Sequence, residues 1–353
     1  MLDPNNEYET AFSDCAEHFD IKNLRLPYWM MNFEEHIKMF IGTYANKSRV
    51  VVIDILRRAL YAARVDNTEN LSPEQITIDT PIPYKLLYLT RFLEEEMGKL
   101  DNPETLTPFL RLRNKVDELR KDTRFSFMFS GRLVNDTLSN IIGNLLRVPI
   151  NDKPISTIDL SGVPSEIVNV VVLVISLTVF DFAVWGRGQD ARQILLVCVE
   201  AHRYVPTEMS TRFNSTKKAI EWIAKEGRKY GLSMGLVSQR PADVSGSALS
   251  QCGMIFLMRL NNERDQNFVS HVMPEGSEGS LSALSSSQNR EVIAVGEGVE
   301  APVRLMVDKL EESHLPSSEN PSYSADWHMG LEDPYFVDMK IDNWRRQGNK
   351  ISD

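Results

Sequence analysis

The sequence predicts an α/β protein in which a largely parallel sheet is flanked by helices, with a helical insertion and a C-terminal tail added to it. Three observations carry that expectation. From residue 156 onward short apolar runs alternate with helical patterns, and a strand-helix-strand rhythm is the signature of parallel pairing. Residues 71–148 instead carry charged stretches whose apolar positions recur three and four apart, the period of helices. The last 40 or so residues are polar and rich in proline and aromatics, with too few aliphatics to form a core alone. Of 353 residues, 42% are hydrophobic, enough for one large core that the additions can share.

The elements follow in order. Residues 1–8 (MLDPNNEY) read as a strand end and a turn, with Pro4, Asn5 and Asn6 supplying the turn chemistry. Asn32 caps a helix reaching Phe40, and Glu35 completes a capping box. Residues 49–54 (RVVVID) suit a buried strand or the start of a helix, and periodicity does not separate the two. Helices are expected over 84–99 and 107–121, with Pro81, Pro83, Pro103 and Pro108 near their starts. Residues 156–160 (STIDL) form a strand closed by a turn at Ser161 and Gly162. The long apolar run 167–185 is interrupted by Asn169, Ser176, Thr178 and Asp181, so it is expected as a buried core helix and not a membrane span.

Strands over 193–199, 232–238 and 254–260 then alternate with helices beginning at Ser215 and Arg264, and 248–252 is a short helical piece. A loop rich in Ser and Gly at 276–288 precedes a hairpin of 291–295 and 302–307 across Gly296, Glu297 and Gly298. The expected organisation is a core over 1–64 and 156–310, a helical insertion over 65–155 and a C-terminal brace over 311–353.

Charge and cysteine content narrow the function classes. A net charge of -10 argues against a broadly basic surface that binds nucleic acid by releasing counterions, so any such contact is local, as inside a ring. Cys15, Cys198 and Cys252 lack zinc-site spacing, and the expectation is a reduced, cytoplasmic protein. Residues 1–4 are acidic, with no apolar leader behind them, and no secretory signal is expected.

In open parallel sheets ligands sit beyond the carboxyl ends of the strands. Those ends carry Asp3 and Glu7, Asp159, Glu200 with His202, Ser238 with Gln239 and Arg240, and Arg259 with Asn261. Carboxylates, an amide and guanidiniums are what phosphoryl transfer needs, because negative charge spreads over the phosphoryl oxygens in the transition state. Residues 194–204 (ILLVCVEAHRY), an apolar strand emptying into a glutamate, have the shape of the second nucleotide-hydrolysis motif of a P-loop ATPase. Glu200 there is the candidate to polarise the attacking water and to touch the magnesium shell indirectly. Gln239 suits a bridge between phosphate and water, Arg228 and Arg259 suit fingers reaching a neighbouring subunit, and Asp3, Glu7 and Arg240 are candidate nucleotide contacts. His202, a lone histidine beside Arg203 and Tyr204, reads as a hydrogen-bonded structural residue. No G-x-x-x-x-G-K-[ST] is present; the only Gly-Lys pair, Gly98 and Lys99, is followed by Leu100.

Taken together, residues 2–8 (LDPNNEY), 26–35 (LPYWMMNFEE), 158–167 (IDLSGVPSEI), 195–206 (LLVCVEAHRYVP), 225–245 (KEGRKYGLSMGLVSQRPADVS), 249–253 (LSQCG) and 259–266 (RLNNERDQ) resemble the HerA branch of the HerA/FtsK-type hexameric ATPases of prokaryotes. The resemblance implies a RecA-like core, a homo-oligomeric ring of six around double-stranded DNA, ATP and Mg2+, and a nuclease or other effector enzyme as partner. The chain departs from the family pattern twice. Val199 stands where the family has an acidic residue before the glutamate, and neither the phosphate loop nor the amino-terminal barrel is present in the sequence.

Overall fold

A computed structural model describes residues 1–42, 48–68, 71–99, 103–130, 134–188, 192–207, 214–273, 284–316 and 335–346. The chain forms two units, Met1–Pro316 and Ser317–Asp353.

The first unit is built on five parallel strands in the order β2-β3-β1-β4-β5: β1 Leu2–Asp3, β2 Ala16–Phe19, β3 Ile155–Asp159, β4 Ile194–Cys198 and β5 Leu232–Leu236. β1 is short but central, with Leu2 paired to Ile158 on one side and Cys198 on the other. After β1 the chain moves out to β2, returns to β3 beside β1, then crosses β1 to reach β4. The order therefore switches at β1, and Asp3 lies in register with Asp159 at that point.

Parallel neighbours need crossovers, and two helices supply them. α7, Ser165–Trp185, joins β3 to β4, and α8, Asn214–Glu226, joins β4 to β5. α7 is apolar nearly all round because it is enclosed: Val171, Val172, Val174, Ile175 and Phe180 are buried in the main core. Its length and composition would suffice to cross a membrane, yet most of it is interior here, the core helix expected from its polar interruptions. α8 packs on it through Trp222, whose ring lies 4.4 Å from that of Phe180. Ile220 and Ile223 face inward as the amphipathic spacing requires.

Between β2 and β3 lie α1 Phe33–Phe40, α2 Ser48–Val65, α3 Leu86–Met97, α4 Pro103–Lys121, α5 Ser126–Phe129 and α6 Leu138–Leu146. Residues 49–54 are thus helical, and 18 residues of α2 exceed what a core strand uses. Leu56, Leu60, Leu89, Leu93, Leu112 and Val116 place α2, α3 and α4 in the same buried cluster as α7. The expected capping box closes α1: the Asn32 side chain accepts from Glu35 N, and the Glu35 carboxylate accepts from Asn32 N at 2.7 Å. Beside it His36 donates from Nδ1 to Asn32 O and accepts at Nε2 from the Tyr84 hydroxyl at 2.8 Å, while the Tyr28 hydroxyl donates to Tyr84 O. This buried polar knot fastens α1 to the segment leading into α3.

Two short helices, α9 Gly246–Leu249 and α10 Glu263–Val272, flank β6 Met254–Leu257. β6 does not extend the parallel sheet as the strand-helix rhythm suggests. It pairs antiparallel with β7 Glu291–Gly296, which pairs antiparallel with β8 Val303–Met306, in a separate sheet with its own cluster of Leu257, Val269, Met273, Leu284, Ile293 and Val295. Gly296 makes this possible: at φ +131° its position admits no side chain, and an added Cβ would lie 2.1 Å from Gly253 O. The loop expected at 276–288 falls largely outside the described residues, apart from a single turn at Leu284–Ser286. In the second unit the described residues contain one helix, α11 Phe336–Arg346.

Candidate functional site at the carboxyl edge of the sheet

The carboxyl ends of β1, β3, β4 and β5 bring Asp3, Asp159, Glu200 and the segment 237–240 to one edge of one sheet. Asp3 is 1% exposed, and its two carboxylate oxygens accept from Asn5 N at 3.2 Å and Tyr8 N at 3.0 Å. Those bonds wrap the turn after β1 around the carboxylate, which is why an aspartate followed by Pro4, Asn5 and Asn6 closes this strand. Asp159 accepts from Ser161 N at 2.7 Å in the corresponding turn after β3.

Glu200 follows β4 by two residues and is 8% exposed. Its backbone is left-handed, at φ 53° and ψ 50°, a conformation costing a non-glycine residue roughly 1–2 kcal/mol. The turn is held by neighbours on both sides: Val199 N donates to Leu2 O at 3.1 Å and Ala201 N to Val237 O at 2.8 Å. Glu200 Oε2 lies 3.2 Å from His202 Nδ1, and that same nitrogen lies 3.1 Å from Ser238 Oγ at the end of β5. The contact with Ser238 is a hydrogen bond whose direction follows the tautomer of His202. Arg203 adds a second tie, donating from Nη1 to Asn5 Oδ1 at 3.2 Å, so the turns after β1 and β4 are fastened together. Tyr8 sits among these groups; its phenol is pushed above the ordinary range, first by burial and then by the charges of Glu7, Asp3 and Glu200. Behind the edge, burial pushes the Cys198 thiol up to about 12, so it is an inert part of the core.

The remaining predicted residues are placed differently. Gln239 and Arg240 are exposed just beyond β5, where Arg240 N donates to Ser238 Oγ at 3.0 Å. Glu7 is half-buried beside Tyr8. Arg228 precedes β5, at the opposite edge of the sheet from Glu200, with its side chain 85% exposed and paired to Glu297 at 3.2 Å. Five residues of strand separate the two edges, about 16 Å, so Arg228 does not join Glu200 within one chain. Arg259 is exposed, two residues beyond β6 of the antiparallel sheet. The His202 bridge to Ser238 was not foreseen; the signal was the two strand ends themselves, which parallel pairing of β4 and β5 sets side by side.

The family description "Helicase HerA, central domain" matches residues 1–179, about half of the chain. The chain belongs to the HerA helicase family. Relatives include the DNA double-strand break repair helicase HerA of Sulfurisphaera tokodaii, 26% identical over 298 residues, which are 76% of this chain and 58% of that protein. The probable DNA double-strand break repair helicase HerA of Methanocaldococcus jannaschii is 30% identical over 142 residues, 40% of this chain and 27% of that protein. The chain thus spans between about a quarter and three fifths of these HerA relatives. Among solved structures, VirB4 of Thermoanaerobacter pseudethanolicus superposes with a TM-score of 0.57 at 14% identity, covering 88% of this chain and 82% of VirB4. At that identity the likeness concerns the fold, which is RecA-like.

For a HerA chain the test of fit is whether these residues suit a magnesium nucleotide. They suit one side of it. A rigid, nearly buried glutamate beside an exposed glutamine is the arrangement that polarises and orients a water. The phosphate-cradling side is not supplied: the sequence has no glycine-rich loop ending in Gly-Lys-Ser or Gly-Lys-Thr, and the side chain before Glu200 is the buried, apolar Val199. Among the described residues no group of three or more His, Cys, Asp or Glu could hold a metal ion.

Proposed function

We propose that this chain is the hydrolytic and sensing part of an ATP-driven translocase acting on double-stranded DNA. The observation that carries the reading is Glu200, fixed in a left-handed turn at the carboxyl edge and bridged through His202 to the segment bearing Gln239. ATP with Mg2+ is the cofactor, and Glu200 polarises the water that attacks the terminal phosphate. The working form is a homo-oligomeric ring of six in the cytoplasm, with DNA in its channel and a nuclease or other effector enzyme bound to it. Membership of the HerA family supports this reading, as does the position of Arg228, exposed at the edge remote from its own Glu200, where exchanging its surface pair with Glu297 would let it serve a neighbouring subunit.

The deciding experiment measures ATP turnover, with and without duplex DNA, by the chain joined to a HerA-type phosphate loop. Turnover that DNA stimulates and that Glu200→Gln lowers at least about 100-fold, the usual contribution of a positioned acid-base group, is the expected result. Turnover indifferent to Glu200→Gln would end the assignment.

Val199 supports a second reading, a RecA-like ring subunit that carries an effector without hydrolysing ATP. An apolar, buried side chain replaces a carboxylate there, removing a group that would hold the magnesium shell. If, in the chain joined to the phosphate loop, Val199→Asp creates turnover where Val199 gives none, the scaffold reading holds; turnover with Val199 in place excludes it.

A further inference from the structure

We propose that the cavity between α1, α2, α4 and α7 is a binding site for a small amphipathic organic anion, whose apolar body fills the interior and whose charged end meets Arg49 and Arg111. The cavity shares no residue with the carboxyl edge of the sheet, so the proposal stands apart from the hydrolytic reading of Glu200.

The cavity has a volume of about 1090 Å3, at the upper end of the range for small-molecule sites. Positions three and four apart turn one face of each long wall toward it: Glu35 and Met39 on α1, Leu112 and Lys115 on α4, Val170 and Leu173 on α7. Its interior is apolar, since Met31, Phe40, Leu112, Phe125 and Leu173 line it and are buried. Two buried polar atoms of its lining residues are nevertheless unmet. Glu35 Oε2 accepts from Asn32 N, whereas Glu35 Oε1 has no hydrogen-bond partner, and neither has Arg49 Nε. An unmet buried polar atom is costly, and beside a cavity it marks a group that a ligand completes. Burial pushes the Glu35 carboxyl up to about 8, so near neutral pH it is an uncharged acid that can donate and does not repel an anion.

The charges around the cavity select the sign of the ligand. Lys115 pairs with Glu118 at 3.0 Å and Arg124 with Asp122 at 2.7 Å, with Glu166 also near Arg124. Lys38 reaches Glu34 at 3.9 Å. Arg49 and Arg111 remain, with no ion pair among the described residues. Two unmatched guanidiniums on a chain of net charge -10 make this a locally positive place, and their planar forks suit the oxygens of a carboxylate, sulfonate or phosphate. A neutral apolar molecule would fill the interior and leave them unmet. A ligand held here ties α4 of the helical insertion to α7 of the core, so occupancy stabilises the first unit.

The test uses anilinonaphthalene sulfonate, an aromatic monoanion whose fluorescence rises in apolar sites, with decanoate and its uncharged counterpart decanol as competitors. Titrated into the whole chain, the sulfonate is expected to saturate one site, to raise the melting temperature, and to be displaced by decanoate but not by decanol at the same concentration. Arg49→Glu puts an acid in the first turn of α2, where a helix accepts it, and is expected to weaken binding at least about tenfold, the scale of one charge-assisted hydrogen bond. Val170→Trp fills the cavity without changing its charge and is expected to abolish binding, which separates this site from sulfonate adhering to apolar surface elsewhere. Whatever Val170→Trp does to packing, Arg49→Glu decides. Equal displacement by decanol, or unchanged affinity in Arg49→Glu, overturns the proposal. So does displacement by duplex DNA alone, which would make the place a nucleic-acid contact. None of these readings depends on turnover, so this site and the hydrolytic reading fail separately.

Discussion

Glu200 and Glu35 are both nearly buried glutamates, and their surroundings give them opposite uses. Glu200 faces His202 at the sheet edge, and His202 in turn meets Ser238. Glu35 lies inside the protein as half of a capping box, and burial pushes its carboxyl up to about 8. His36, next in sequence, is pushed down to about 3, mainly by burial and then by Arg64. The signs are opposed. Glu35 is raised above its unfolded value, so its contribution to stability is full below about 4.5 and is lost as pH rises to about 8. His36 is lowered, so stability is lost as pH falls from about 6.5 toward 3. Where the two windows overlap, from about 4.5 to 6.5, the slopes cancel, and stability is expected to fall as pH rises from 6.5 to about 8. Urea unfolding midpoints in that range check it: the parent loses stability, and Glu35→Gln, which still accepts from Asn32 N, does not. The capping box was legible from four adjacent residues, and so was Glu200 at the end of an apolar run. What could not be read was burial at Glu35, which depends on packing from distant segments, or the His202 bridge, whose ends lie 36 residues apart.

At the level of elements, legibility followed the length of the pattern. α7 and α8 announce themselves over several turns, whereas β2 (AEHF) is four residues of mixed polarity and is recruited only because β3 offers it a parallel edge. β6 was recognised as a strand and given the wrong neighbours, because an apolar run specifies a strand and not its partners. The information lay in the hairpin beyond it: β7 is buried on both faces and needs a strand on each side, which β6 and β8 supply. Gly296 marks the contact between β7 and the turn before β6. Gly296→Ala is expected to destabilise the first unit by about 2–3 kcal/mol, the scale of a forced backbone conformation, and a urea titration measures it. At the other end of the molecule's stability scale, Asn32→Ala removes the side-chain half of a helix cap and is expected to cost about 1 kcal/mol by the same titration.

For the whole molecule, the separation of Glu200 from Arg228 is the informative distance. A single chain does not bring them together, whereas a ring in which the amino-terminal edge of one sheet faces the carboxyl edge of the next does. Rings mixed from Glu200→Gln and Arg228→Ala forms of the chain preceded by a HerA-type phosphate loop are therefore expected to recover turnover that neither variant shows alone, since some interfaces then carry both wild-type groups. The parallel sheet was readable from the alternation of elements, which is why the carboxyl edge could be assembled in advance; the strand order that switches at β1 was not, because alternation does not say which strands are neighbours. Inter-subunit geometry was not, because no local pattern encodes a neighbour's position. The most direct measurement is DNA-stimulated ATP hydrolysis by three proteins: this chain alone, the chain preceded by a HerA-type phosphate loop, and the latter with Glu200→Gln. The account predicts no turnover, DNA-stimulated turnover and loss of turnover, in that order; hydrolysis by the chain alone, or by the Glu200→Gln protein at the parent rate, would contradict it.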